Sequence, residues 1–410
     1  TAALTQGGGI GRYTRELVRA VVAEAPGYDY TLFSARPPAV PAVPESLPVA
    51  PNVLHRPAPV DERWLYRLWY RARLPLPVQT FAGRLDLFHS PDFVLPPVGG
   101  GIPTLLTVHD LSFVHYPATF PNNLVAYLNR VVPWSVGRAS HVLADSHSTR
   151  RDLAAVWNVP ESKVTVLYSG VNERFRPVTD AAALAALRAR YGLGNRPYVL
   201  AVGTVQPRKN YELLVRAFRA VAERQPHALV IAGGKGWLTE GLAVEIARQG
   251  LSERVLLAGF VADEDLPALY SAADLFVFPS LYEGFGLPLL EAMACGVAVV
   301  SSDASSLPEV AQTGGEPADQ AHRDLDVAAD HGLERAGVDH EELRVLQHGR
   351  GGVPVVRRGD QHGIDVLLVQ QAAEVGERLA SSSGPLAGRG GILRIDVRHR
   401  AEFRAGSLFH

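Results

Sequence analysis

Short apolar runs, each ending in a glycine or a small polar loop and followed by a helix-forming stretch, recur along most of this chain. Residues 85–89, 102–108, 142–144 and 164–171 are such runs in the first half. Residues 197–203, 228–234, 255–261, 273–278 and 297–300 are their counterparts in the second. Runs this short and this apolar read as strands buried on both faces. Their alternation with helices predicts parallel sheets, and hence a doubly wound α/β fold. Residues 172–196, with Pro177, an Ala-rich helix, Gly192 and Gly194, read as the connection between two such sheets. A chain of 410 residues has ample length for two cores.

In a parallel sheet, ligands collect at the carboxyl ends of the strands, so the loops there carry the functional argument. Residues 279–296 place Glu283 and Glu291 eight residues apart, with Gly284, Phe285, Gly286, Leu287 and Pro288 between them. The pattern is strand, glycine-containing loop, helix start, and 289–295 is helix-forming. Unpaired N–H groups and the macrodipole at a helix N-terminus favour an anion. Two flanking carboxylates could accept hydroxyl protons from a phosphorylated ligand. The plainer alternative is a strand–helix turn whose glutamates face water. After Gly203, Arg208 and Lys209 could neutralise a diphosphate, Arg bidentately and Lys as a compact charge. The plainer alternative is a solvated surface pair, the usual case at a helix start. His109 and Asp110 follow the strand at 102–108. Asp145, Ser146 and Ser148 follow the strand at 142–144, where capping of the next helix accounts for them. The loop at 6–11 is rich in glycine, and Gly8 and Gly9 precede a helix striped by Ile10, Leu17, Val18 and Val21.

Composition narrows the partners. The net charge of −2 gives no global argument for nucleic acid. A single cysteine, Cys295, excludes an intrachain disulfide and a cysteine-based zinc cluster, and fits a reducing cytoplasm. No signal peptide or bilayer-length apolar run is visible. The chain begins at Thr1 almost directly on the glycine loop, where a strand would normally precede, so the first strand is expected to be missing. Residues 35–60, rich in Pro and Ala, read as irregular exposed chain. Residues 63–73 combine four arginines with Trp64, Tyr66, Trp69 and Tyr70. They read either as a peripheral membrane contact or as an amphipathic helix packed on its own domain with its arginine stems snorkelling.

These stretches together resemble the retaining GT-B glycosyltransferases of family 4. Glu283 to Glu291 is similar to the family's E-x7-E signature. G-G-I-G-R-Y-T-R-E-L near the N-terminus, T-V-H-D-L-S-F around His109, the Ser146 segment and G-T-x-x-P-R-K-N around Lys209 are similar to its other motifs. The resemblance runs from residue 5 to about 311. It implies two Rossmann-like domains facing a cleft: residues 1–175 on the acceptor side, a linker at 176–196, and an incomplete nucleotide-sugar-binding domain at 197–311.

The implied chemistry moves a hexose from a nucleotide diphosphate sugar to an acceptor hydroxyl with retention, without a metal or other cofactor. Glu283, His109 and Asp110 would be the catalytic group. Glu283 would orient the donor sugar, His109 would reach the hexose, and Asp110 would orient its neighbours. Gly8, Gly9, Gly203, Arg208, Lys209, Phe260, Val261, Gly284, Phe285, Gly286, Leu287 and Glu291 would bind the donor. Arg208 and Lys209 would lie on the phosphates, backbone near Phe260 and Val261 would hold the base, and Glu291 would take the ribose hydroxyls. The motif combination looks most like mannosyltransferases of bacterial polysaccharide assembly. That implies GDP-mannose as donor and a glycan or lipid-linked acceptor. The lone cysteine and the 63–73 stretch give the expected localisation, cytoplasmic with peripheral contact at the inner face of the plasma membrane. A UDP-sugar enzyme, glucosyltransferase or epimerase, is the alternative donor class.

Beyond Ala311 the resemblance stops. No Phe, Trp or Tyr occurs between Phe285 and Phe403, and half of the 14 histidines lie after Gln312. Such a composition lacks the large apolar side chains that close a core. Residues 312–410 are therefore expected to be an out-of-frame or unrelated replacement, poorly ordered. A nucleotide-sugar-binding protein made inactive by this tail is the further alternative.

Overall fold

The computed structural model describes residues 2–5, 8–36 and 47–313, and the backbone of two short strands at 343–346 and 355–358. The chain divides into two compact units. The first is Thr1–Ser169 with Glu283–Phe285, and the second is Gly170–Tyr282 with Gly286–His410.

In the first unit, β1 (Tyr30–Ser34) pairs in parallel with β2 (Val53–Pro57). A separate parallel sheet has the order β3 (Phe88–Ser90), β4 (Thr104–Val108), β5 (His141–Ala144), β6 (Val164–Val166). Leu106, Val108, Val142 and Ala144 are fully buried and pack with Leu111, Phe113, Val132 and Leu153. The expectation of irregular exposed chain over 35–60 is corrected by β2. Its side chains are mostly exposed, so its pairing depends on the backbone ladder rather than on an apolar pattern. β6 ends at Val166, short of the expected 164–171; Leu167 N still bonds to Ala144 O, and the chain then leaves the sheet.

Over 63–73 the structure has a helix, Glu62–Tyr66, opened by Asp61, whose carboxylate accepts from Trp64 N. One π-helical turn, Arg67–Arg71, follows. Leu65, Trp69 and Tyr70 are buried in an aromatic cluster with Phe33 and Phe81, so this segment packs on its own unit. Arg63, Trp64, Arg67, Arg71 and Arg73 stay exposed, with the Arg67 guanidinium 5.0 Å from the Trp64 ring centre.

The second unit holds one five-stranded parallel sheet in the order β11-β10-β7-β8-β9. The strands are β7 (Tyr198–Val202), β8 (Ala228–Ala232), β9 (Val255–Gly259), β10 (Leu275–Phe278) and β11 (Val299–Ser301). Every residue of β7, β10 and β11 is buried, as a strand covered by helices on both faces requires. Leu214, Phe218 and Val221 from helix Tyr211–Arg224 complete the core on one face. The chain runs from β7 outward through β8 and β9, then returns to β7's other side for β10 and β11. That is the doubly wound order, with its reversal between β7 and β10.

The expectation for 312–410 lies outside the described residues, apart from the end of helix Leu307–Thr313 and the antiparallel pair Leu343–Leu346 and Val355–Arg358. Among the described residues no helix is long and apolar enough to cross a membrane.

Candidate functional site

In the second unit, the loops leaving β7 and β10 start side by side at the reversal point. They are tied together by Arg208. Its carbonyl accepts from Leu281 N at 2.9 Å, and its guanidinium Nη1 donates to the carbonyl of Tyr282. Lys209 is only 7% exposed, and its ammonium lies 4.7 Å from the ring centre of Phe278, the last residue of β10. A π-face offsets part of the cost of burying an ammonium. Gly203 follows β7, and its carbonyl accepts from the Tyr211 hydroxyl at 3.1 Å.

The helix after β10 is Leu287–Ala294, two residues longer at its start than the expected 289–295. Pro288 fits its first turn because no N–H is needed there. Gly286 caps it at φ +113°, and an added Cβ would stand 2.7 Å from Leu307 Cδ2, so neither backbone nor space admits a side chain. Glu291 lies one turn in and is 2% exposed; its Oε2 accepts from the Tyr270 hydroxyl at 2.9 Å. Burial, reinforced by the Glu291 charge, pushes the neighbouring Cys295 thiol up to about 12. Beyond β9, Phe260 is 68% exposed and Val261 is buried. Thus Gly203, Arg208, Lys209, Gly286, Leu287 and Glu291 gather around the carboxyl ends of β7 and β10. Two cations and a helix N-terminus there can hold an anion, and a buried carboxylate can accept hydroxyl protons.

In the first unit, His109 and Asp145 follow β4 and β5, which pair Val108 with Ala144. That register sets the two side chains side by side: His109 Nδ1 is 2.7 Å from Asp145 Oδ2. The other ring nitrogen, Nε2, is 3.1 Å from Pro91 O. Tyr13 and Phe93 meet the ring edge-on, with centres 4.9 and 5.4 Å away. Burial opposes a charge on this imidazole. The Asp145 carboxylate, the Asp92 charge and the Pro91 carbonyl outweigh it and raise the pKa to about 9. Both ring nitrogens then donate. Burial, with the His109 charge behind it, takes His89 down to about 4, so the imidazole bonded to Thr107 Oγ1 at 3.0 Å is neutral.

Asp110 accepts from Ser112 N and Oγ at 2.8 and 2.5 Å, two residues ahead of the short helix Ser112–His115. Gly8 caps helix Gly9–Glu24, and Gly8 and Gly9 are both exposed. Glu283 and Phe285 are buried. A Cβ on Gly284 would lie 2.2 Å from His109 O, a close approach that requires glycine.

The run Asp263-Glu264-Asp265 contains an Asp-x-Asp spacing, but Asp265 is taken by Arg190 at 2.8 Å and by the Tyr191 hydroxyl at 2.7 Å. Among the described residues no group of three or more His, Cys, Asp or Glu is placed to hold a metal ion.

Comparison with known proteins matches both units to sequence profiles. Residues 7–175 match Glycosyltransferase Family 4, and residues 185–319 match Glycosyl transferases group 1. The O-antigen chain mannosyltransferase B of Escherichia coli is 34% identical over 267 residues, covering 65% of this chain and 68% of that one. The chain belongs to glycosyltransferase family 4. The serotype-specific mannosyltransferase WbdA of Escherichia coli is 32% identical over 233 residues, which are 54% of this chain and 28% of that much longer one. The crystal structure of WaaG, a glycosyltransferase involved in lipopolysaccharide biosynthesis, matches with a TM-score of 0.55 at 16% identity, covering 92% of each chain. At that identity the match speaks for the GT-B fold alone.

Two partners in this family 4 chain escaped the sequence reading. Asp145 reads as a helix cap, yet Ser146 is the cap: its Oγ accepts from Thr149 N at 3.1 Å. Asp145 instead faces His109, and its Oδ1 has no hydrogen-bond partner among the described residues. Its place after a strand adjacent to the His109 strand is the signal that could have found it. Tyr270 reads as one more apolar residue of a helix, and nothing local announces its bond to Glu291.

Proposed function

We propose that the chain transfers mannose from GDP-mannose to a hydroxyl of a glycan or lipid-linked acceptor, with retention of anomeric configuration. The observation that carries this reading is the 34% identity to an O-antigen chain mannosyltransferase. The cations and buried carboxylate at the β7/β10 reversal support a nucleotide diphosphate as the donor's handle. In this reading Lys209 and Arg208 meet the diphosphate, the N-terminus of helix Leu287–Ala294 shares its charge, and Glu291 accepts the ribose hydroxyl protons. The bond from the sugar C1 to the β-phosphate oxygen breaks, and the acceptor oxygen bonds C1 on the same face. The acceptor proton passes to the leaving phosphate oxygen. The roles implied for Gly8, Gly9, His109, Asp110, Glu283, Gly284 and Phe285, and for Phe260 and Val261 at the base, belong to the same proposal. So does peripheral contact of the exposed arginines over 63–73 with anionic lipid.

The test incubates the purified chain with GDP-mannose, UDP-glucose and UDP-galactose, with and without a mannose-terminated oligosaccharide. Nucleoside diphosphate release is followed, and the new linkage is read by NMR. Acceptor-dependent GDP release with an α-linked product is the expected result. Turnover with a UDP-sugar alone, or conversion of a donor to an isomer without acceptor, overturns it.

A further inference from the structure

Glu291 is a buried carboxylate on a long side chain. The terminal torsion of such a side chain is broad, so burial alone does not fix which edge its oxygens present. The Tyr270 hydroxyl supplies one such constraint by donating to Oε2 at 2.9 Å. Tyr270 is itself fully buried. Its ring stands edge-on to Phe276 of β10, centres 5.4 Å apart, and edge-on to Phe175, centres 6.1 Å apart. Helix Leu266–Ser271 carries it, and that helix is further tied by Ser271 Oγ, which accepts from Val178 N at 3.0 Å. The phenol is thus a buried, closely packed donor aimed at the carboxylate expected to read the ribose.

We propose that Tyr270 is a positioning residue for nucleotide recognition: it sets the Glu291 carboxylate to accept the vicinal hydroxyls of a ribose, and so makes the site selective for ribonucleotide donors. The inference rests on the reading of Glu291 as the ribose acceptor given above. A vicinal diol donates two O–H groups, and a carboxylate turned out of plane can meet only one of them well. Each hydrogen bond to a charged acceptor is worth enough to change affinity about tenfold or more. Losing the phenol should therefore cost the discrimination between ribose and deoxyribose more than it costs binding of the diphosphate.

The test is calorimetry of GDP and 2′-deoxy-GDP, and of UDP and 2′-deoxy-UDP, against wild type, Tyr270→Phe, Glu291→Gln and the double variant. Wild type should prefer a ribonucleotide over its deoxy form by about tenfold or more. Tyr270→Phe should bring that ratio to within about threefold while affinity for the deoxy form stays near wild type, and it should add nothing in the Glu291→Gln background. A merely structural tyrosine would weaken both nucleotides alike and leave the ratio unchanged; that result overturns the proposal. If wild type binds nucleotides without a ribose preference, the reading of Glu291 fails and takes this inference with it. If wild type binds none of the four, the donor proposal itself fails. Tyr270→Met, which also removes the hydroxyl while filling the space flexibly, answers the same question should the Phe variant not fold.

Discussion

The first unit should lose stability as the solution turns alkaline, and the loss should trace to one buried pair. His109 stands at about 9 in the folded unit against an ordinary 6.5. Below 6.5 both folded and unfolded chains carry the proton, so its contribution to stability is complete. Between 6.5 and 9 the unfolded chain has released the proton while the folded unit still holds it, and the contribution declines. Above about 9 it is gone. At 1.36 kcal/mol per pH unit, the span is worth roughly 3 kcal/mol at most. For a domain of this size that corresponds to about 6–12 °C in Tm.

The groups facing the ring are Asp145, Asp92, His89 and Tyr13, and of these His89 is neutral and the Tyr13 phenol is pushed up by burial. The assay is thermal unfolding of the full chain from pH 6 to 9.5, with the His109→Gln/Asp145→Asn double variant beside it. That variant replaces the pair by two neutral amides. The expected result is a decline in the wild-type transition that the double variant lacks. Equal slopes in the two proteins, or a wild-type transition that does not move, would refute the reasoning.

Three further outcomes follow from the geometry. Lys209→Ala should weaken nucleoside diphosphate binding by about 10- to 100-fold, since a charge-assisted contact is removed from a water-poor site; wild-type affinity in calorimetry would exclude Lys209 from the phosphates. Gly286→Ala should destabilise the second unit by about 1–3 kcal/mol through its positive φ and the overlap with Leu307; urea unfolding with an unchanged midpoint would count against it. Replacing Arg63, Arg67 and Arg71 together by Ala should reduce sedimentation with phosphatidylglycerol vesicles, at about 1 kcal/mol per arginine. Absence of vesicle binding by the wild type would remove the lipid contact from the proposal.

The second sheet was legible in the sequence because its strands are buried on both faces. β7 through Tyr198–Val202 and β10 through Leu275–Phe278 are continuous apolar runs, and the loops behind them carry Arg208, Lys209, Gly286 and Glu291. β2 was not legible. Leu54, His55, Arg56 and Pro57 are exposed, so no apolar periodicity marks a strand that depends on backbone pairing with β1. The site showed the same split. Residue types and loop positions marked Lys209 and Glu291, but the partners that fix His109 and Glu291 lie 36 and 21 residues away. A partner at such a distance is set by strand register and helix packing, which spacing along the chain does not encode.

The order of the second sheet also constrains how the unit is built. β7 sits at its centre, yet β10 reaches it only after the excursion through β8 and β9; Tyr198 N donates to Asp274 Oδ2 across 76 residues of chain. Closing so long a loop carries a somewhat larger entropic cost than pairing β7 with β8, where Tyr198 meets Ala228. The consecutive strands β7, β8 and β9 can therefore assemble as a half-sheet first, with the strand edge at β7 still bare. The Arg208 tie to Leu281 and Tyr282, and the packing of Tyr270 on Phe276, form only once β10 docks on that edge. If the proposed donor site is right, donor recognition belongs to the finished sheet, and a nucleotide added during refolding should select chains that have completed it.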